Sequence, residues 1–200
     1  QYDLKIQVDK IKPSILGSLQ CNDFLLLDGK NDTLIYIDKF KLQTSNYSFK
    51  RFNKVYIQDL FLKCNYKDSI LNSNIFKVFE PFLVSQGNSN PLVIDNLWIN
   101  NASIDIRNTN EIKSFRGVNL YLKECLLSDD IDFELSNLDF EVVNGAHHQF
   151  DVARVLFSPN KNVINEFNWK SGNSILRFDL TQNIPSNQGQ IKINDLIVDH

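Results

Sequence analysis

Glycine is scarce and never clustered in this chain: seven glycines stand singly among 200 residues. That excludes a glycine-rich phosphate loop, and neither a G-x-S-x-G nucleophile elbow nor an H-E-x-x-H metal motif occurs. Histidine is rarer still, and only His147-His148, near Asp151, offers a start for metal or proton-transfer chemistry. Adjacent side chains on a strand point to opposite faces, so this pair would not share one metal, and the preceding Asn144-Gly145 favours a turn there. Carboxylates such as Asp132, Glu134, Asp139 and Glu141 alternate with apolar residues, which is the period of a solvated strand face and not of a catalytic pair. The expectation is a protein that is not an enzyme and carries no catalytic residue, metal or cofactor.

Cysteine is also sparse. Cys21, Cys64 and Cys125 lie far apart, with no C-x-x-C and no histidine at ligand spacing. They read as small buried hydrophobes; one disulfide stays open, because spacing does not say which strands are neighbours. Charge of one sign is missing too: 21 basic and 24 acidic residues are interspersed for a net −3, so no basic stripe exists to neutralise phosphates, and nucleic acid is not an expected partner. No apolar run approaches the roughly 20 residues that span a bilayer, and no charged segment precedes an apolar one as in a signal peptide. The strand-like opening at Gln1 suggests a fragment of a longer protein.

What the chain does have is alternation. Tyr2, Leu4, Ile6 and Val8 share one face, and the period of two returns around Val118–Leu122, Ile131–Leu135, Leu138–Val142, Phe150–Val152, Phe178–Leu180 and Ile191–Ile193. Such segments are half-buried strands. Asparagine is abundant, 25 in all, and falls mostly between apolar runs where it suits turns. Turn clusters at 29–32, 100–101, 128–130, 136–137, 144–145 and 186–189 give meander spacing rather than βαβ spacing. Sequons begin at Asn31, Asn46 and Asn101, a number that chance explains in so asparagine-rich a chain. Ile75, Val78 and Phe79 at helical spacing behind Ser73 or Asn74, stopped by Pro81, predict a short helix, and 46–53 predicts another turn or so of helix. Residues 84–91 read as a loop between a segment 1–83 and a segment 92–200.

Three stretches share one pattern: Val55-Tyr-Ile57-Gln-Asp59-Leu60-Phe-Leu62, Leu92-Val-Ile94-Asp-Asn96-Leu97-Trp-Ile99 and Ile191-Lys-Ile193-Asn-Asp195-Leu196-Ile-Val198. The Asp/Asn–Leu step shifts which face is apolar, as a bulge would, and repeated units of this kind imply stacking into an extended sheet. Fifteen Phe, six Tyr and two Trp load the apolar faces. Two such faces covering each other would make a sandwich core; a single curled sheet would leave one partly open to hold something hydrophobic.

Residues 15–40, from Ile15-Leu-Gly17 through Asp28-Gly29-Lys-Asn-Asp32-Thr33-Leu34 to Asp38-Lys39-Phe40, resemble the start of the TamB proteins of Bacteroidota, within the AsmA-like family. Asn74-Ile75-Phe76 with Phe79 and Phe82, then Ile94–Asn101, then Gly172-Asn173-Ser174-Ile175-Leu176, resemble later pieces in order. The resemblance spans nearly the whole chain through short structural motifs and implies no catalytic residues. It implies an all-β fold, an extended, curled antiparallel sheet forming a β-taco-like groove with one or two short helices. It further implies a periplasmic bridge, anchored to the inner membrane by parts absent here, that takes part in phospholipid transport and outer-membrane protein assembly with a barrel protein of the TamA/BamA type. The chain departs from that pattern in lacking the anchor and the C-terminal family domain. In such a groove the lining would be the inward residues of the cleanest strands: Leu120, Leu122, Ile131, Phe133, Phe140, Val142, Val152, Phe178, Leu180, Ile191 and Ile193.

Overall fold

The computed structural model describes residues 4–14, 17–44, 50–66, 74, 92–108, 111–128, 130–143 and 145–199. These form strands β1 (Lys5–Ser14), β2 (Ser18–Leu27), β3 (Thr33–Gln43), β4 (Arg51–Phe52), β5 (Lys54–Asn65), β6 (Leu92–Arg107), β7 (Ile112–Leu127), β8 (Ile131–Val142), β9 (His147–Phe157), β10 (Lys161–Ser171), β11 (Ser174–Asn183) and β12 (Gln188–Ile197). All twelve belong to one curled sheet that does not close on itself, in near-sequential order β1-β2-β3-β5-β6-β7-β8-β9-β10-β11-β12, with β4 beside β6. The described strands thus build one sheet, and the two-sheet sandwich held open by composition is not the architecture.

The pairing is antiparallel except at β6, to which both β5 and the short β4 run parallel, with Val55 opposite Leu97 and Cys64 opposite Ile106. A parallel neighbour needs a long crossover, and residues 66–91 supply it. The expected segments 1–83 and 92–200 therefore share one sheet across this joint. Asn74 is helical, its Oδ1 accepting from the Asn65 N–H at 2.7 Å while its Nδ2 donates to the Lys63 carbonyl; the rest of the expected helix, and the loop 84–91, lie outside the described residues. Of the helical turn expected at 46–53, Arg51 and Phe52 are instead strand, paired with Val93 and Ile94.

Ser136-Asn137 and Asn100-Asn101 correct the turn reading. Both lie inside continuous strands, β8 and β6. The apolar residues on either side of them are three apart on the same face, and the intervening polar pair absorbs the change of phase. Cross-strand partners place this step in ten strands. The inward residues run Ile6, Val8, Ile11, Pro13 in β1; Leu19, Cys21, Phe24, Leu26 in β2; Ile35, Ile37, Phe40, Leu42 in β3; Val55, Ile57, Leu60, Leu62 in β5; and Leu92, Ile94, Leu97, Ile99 in β6. They continue as Leu120, Leu122, Cys125, Leu127 in β7; Phe133, Leu135, Leu138, Phe140 in β8; His148, Phe150, Ala153, Val155 in β9; Asn162, Ile164, Phe167, Trp169 in β10; and Ile191, Ile193, Leu196 in β12. The step dipeptide is polar in every strand but β9, where it is Asp151-Val152.

Several steps are bulges with a left-handed residue: Asp23 (φ 50°), Asp59 (φ 51°), Asn101 (φ 56°), Glu124 (φ 50°) and Glu166 (φ 59°), with Gly117 (φ 59°) close to the Asn101 bulge. A bulge leaves an amide without a ladder partner, and side chains of the next strand accept it. Asn101 N–H donates to Asn119 Oδ1 at 2.9 Å, and Glu166 N–H to Asp179 Oδ1 at 2.7 Å. Asp179 sits in β11, the strand without a step; its other oxygen accepts from Asn194 Nδ2 at 2.9 Å, so one carboxylate holds the irregularities of both neighbours. Hydrogen bonds from Asn194 and from the Glu166 amide hold the Asp179 carboxyl below its ordinary range.

Candidate functional site: an uncovered apolar trough

The inward positions named above carry no Asp, Glu, Lys or Arg; His148 and Asn162 are their polar members, and at the margins of the face Gln182 lies opposite Asn162 and Lys113 opposite Ile106. Their packing forms a band across the sheet. Leu26, Leu34 and Ile35 pack with Phe24, Ile37, Leu60 and Leu62; Val55, Ile94 and Cys125 with Phe40, Phe52, Leu97, Leu122 and Phe133; and Leu135, Ala153 and Val155 with Leu120, Leu138, Phe150, Ile164 and Phe167. From β7 to β11 the band is aromatic. Phe115 meets Phe140 edge-on at 5.4 Å, Phe140 stacks with Phe150 at 5.8 Å, Phe150 meets Phe167 at 5.4 Å, and Phe167 meets Phe178 at 4.4 Å. His148 joins it by stacking between Phe140 and Trp169, its Nδ1 accepting from Trp169 Nε1 at 3.1 Å.

Among the described residues this face is not sealed. Toward the far edge the inward side chains are openly wet: Ile191 is 63 % and Ile193 58 % exposed, as is Ile6 at 65 % on β1. The opposite face is polar and cross-linked by charge. Arg154 reaches Asp132 at 2.8 Å and Glu124 at 3.0 Å, Lys170 reaches Asp151 at 2.7 Å, and Lys123 reaches Glu134 at 3.3 Å. The hydrogen bond that Arg154 donates to Asp132 raises its guanidinium above the usual value, against the opposing effect of burial.

Ten of the eleven expected lining residues lie on the apolar face. Leu120, Leu122, Phe133, Phe140, Phe178 and Leu180 sit within the band, Val142 lies opposite Phe115, Ile131 opposite Leu127, and Ile191 and Ile193 on the open edge strand. Val152 is the exception. Strict alternation from Phe150 would turn it inward, but the step seats the fully buried Ala153 there instead. Val152 is left half exposed beside Asp151, Asn168 and Arg177 on the polar face. The same phase shift hid Phe115, Phe167 and Trp169, whose flanks, Arg116-Gly117, Asn165-Glu166 and Asn168, break the alternation that marks a strand.

Cys21, Cys64 and Cys125 are free and buried, as expected of small hydrophobes. His147 and His148 open β9 rather than lie in a turn, and they face apart: His147 Nε2 lies 3.9 Å from Asp139 on the polar side, His148 among rings on the other. Among the described residues no helix is long and apolar enough to cross a membrane. No protein-family model matches the sequence, and no curated protein matches it either.

Proposed function

We propose that the trough shields the acyl chains of phospholipids, as one segment of a periplasm-spanning, inner-membrane-anchored protein of the AsmA-like/TamB kind that carries lipid between the inner and outer membranes. The observation that supports this reading is the continuous apolar face, with a charged residue, Lys113, only at its margin, left partly open to water at the edge strands. Each methylene moved from water onto such a face gains ~0.8 kcal/mol. A lining with almost no polar anchor holds chains without fixing them at one point, so a chain can slide along the strands while its headgroup stays in solvent. The opposing face, laced with ion pairs, keeps the sheet soluble.

The test is photocrosslinking from Leu138, in the middle of the aromatic band, to phospholipid during expression in a double-membraned bacterium. Wild type should yield a lipid adduct, and Phe133→Arg or Phe140→Arg should abolish it while the strand signal in circular dichroism persists. Undiminished adducts in both variants would remove the proposal.

A second reading rests on a different observation. β1 and β12 end the sheet with their outer hydrogen-bonding edges unpaired among the described residues. Such an edge can add a strand from a client or from a barrel protein of the TamA/BamA type, making the protein an assembly factor for outer-membrane proteins. Crosslinks from Lys192 to a barrel protein in cells support it, and their absence at every β12 position counts against it.

A further inference from the structure

The polar face holds a depression at the end of the sheet where β1 and β3 finish and β2 and β5 begin. A cross-strand row runs Gln20, Lys41, Tyr56, Trp98, Tyr121 over β2, β3, β5, β6 and β7. Tyr121 stacks on the Trp98 indole, centroids 4.9 Å apart and planes 7° from parallel. The Tyr121 hydroxyl is fixed by Asn96 Oδ1 at 2.9 Å, and the Lys123 ammonium lies 5.5 Å from the Tyr121 ring. On the side of Trp98 away from Tyr121 opens a hollow of about 600 Å³, walled by Trp98 and Tyr56, rimmed by Gln20, Gln43, Lys41 and Lys54, and bounded at the end of the sheet by Ser14, Ser18, Leu19 and Leu42. Among the described residues no carboxylate lines it, and Lys41 and Lys54 are exposed. The volume falls within the range of small-ligand sites.

We infer that this hollow binds an acidic saccharide, a pyranose bearing a carboxylate. The chemistry of the walls selects it. A pyranose has an apolar C–H face suited to a flat indole held in place from behind. Its vicinal hydroxyls match the Gln43 amide and the Gln20 side-chain carbonyl, Gln20 Nε2 donating to Asn22 Oδ1 at 2.9 Å, while the Tyr56 ring is held by its hydroxyl, which accepts from Asn100 Nδ2 at 3.3 Å and donates to Gln58 Oε1 at 3.2 Å. Two lysines with no acidic neighbour in the hollow leave net positive charge for one carboxylate. An acyl chain has no use for these polar groups, which distinguish the hollow from the trough even though Leu19 and Leu42 also line it.

The experiment is titration calorimetry of the full chain with a hyaluronan tetrasaccharide, with cellotetraose as the neutral counterpart and AMP as a flat anion of another class. Emission is followed in a Trp169→Phe background, in which Trp98 is the remaining indole. The acidic tetrasaccharide should bind and shift Trp98 emission, and the neutral one should bind at least about tenfold more weakly. Trp98→Ala should remove binding, Lys41→Ala with Lys54→Ala should weaken it about tenfold or more, and added salt should weaken it further. Lys161→Ala, an exposed position on β10, should leave saccharide binding unchanged. Where Trp98→Ala fails to fold, Tyr56→Ala and the exposed lysine pair carry the test. No binding up to about 10 mM, equal affinity for cellotetraose, tighter binding of AMP, or binding untouched by these variants would each overturn the assignment.

Discussion

Among the described residues Asp105 is the one charged or polar residue that is buried, at 7 % exposure. It stands on β6 at the sheet's charged face, where Ser114 Oγ and Arg116 Nη2 each donate to its Oδ1 at 2.8 Å and Arg107 approaches Oδ2 at 3.5 Å. Burial alone would raise its carboxyl, but the hydrogen bonds from Ser114 and Arg116, and the Arg116 charge, outweigh it and hold the group below the usual carboxylate range. A depressed folded value means the carboxylate stabilises the fold above the unfolded value, about pH 4, and that this contribution disappears as pH falls through the folded one. Asp105→Asn should therefore cost about 1–2 kcal/mol at pH 7, modest because both arginines are partly exposed, and the difference should shrink toward pH 3 in urea melts. Cys125 makes the opposite case. Burial, only partly offset by Arg154, pushes its thiol up to about 11. Thiol reagents at pH 8 should leave Cys125 unmodified in the native chain and label it in urea, read by mass spectrometry. Neither behaviour is legible in the sequence: Asp105 sits in an ordinary alternating stretch, and its arginine partners lie on its own and the next strand in a register that no local pattern specifies.

At the scale of the strand, the step from one apolar phase to the next is what makes a coherent face. The repeat visible around Asp59, Asn96 and Asp195 reported it in three strands; Ser136-Asn137 in β8 and the second polar pair of β6, Asn100-Asn101, resembled turns, because they are residues that turns also favour. Only cross-strand partners, such as Leu135 with Ala153 and Leu138 with Phe150, distinguish a bend within a strand from a break between strands. Two glycines separate conformation from crowding. Gly117 needs a positive φ but has no atom within 4 Å of an added Cβ, while at Gly17 that Cβ would meet the Thr44 carbonyl oxygen at 2.9 Å. Gly117→Asn should be nearly neutral, since Asn101 adopts the same conformation one strand away, and Gly117→Ala should cost about 1 kcal/mol. Gly17→Ala should cost more than Gly117→Ala, because clash adds to conformation; equal midpoints of thermal melting for the two alanine variants would contradict this. Asn119 ties the irregular region together, accepting from the Asn101 amide and donating to the Gly117 carbonyl and Asp139, both at 3.0 Å. Asn119→Ala should lower stability by about 1–2 kcal/mol in urea titration.

For the whole molecule, an all-β curled sheet follows from period-two alternation with meander spacing, but the parallel joint of β5 and β6 does not, since direction depends on where the chain returns after residue 65. The openness of the sheet has a measurable consequence. A closed core excludes solvatochromic dyes from the native state, whereas a face with its apolar rows partly wet admits them while the protein still unfolds cooperatively. The native chain should bind a dye such as Nile red with a blue-shifted emission at neutral pH, and Phe140→Arg should weaken that binding, because Phe140 touches Phe115, His148 and Phe150 in the aromatic band. Val152→Arg should leave dye binding unchanged, although strict alternation would rank Val152 with Phe150. The contrast between these two substitutions isolates the step itself: two residues in adjacent strands, each on an alternating apolar pattern, part company because Asp151-Val152 carries β9 through its change of face. Equal loss of dye binding in both variants would mean that Val152 faces the trough and that the step in β9 is absent.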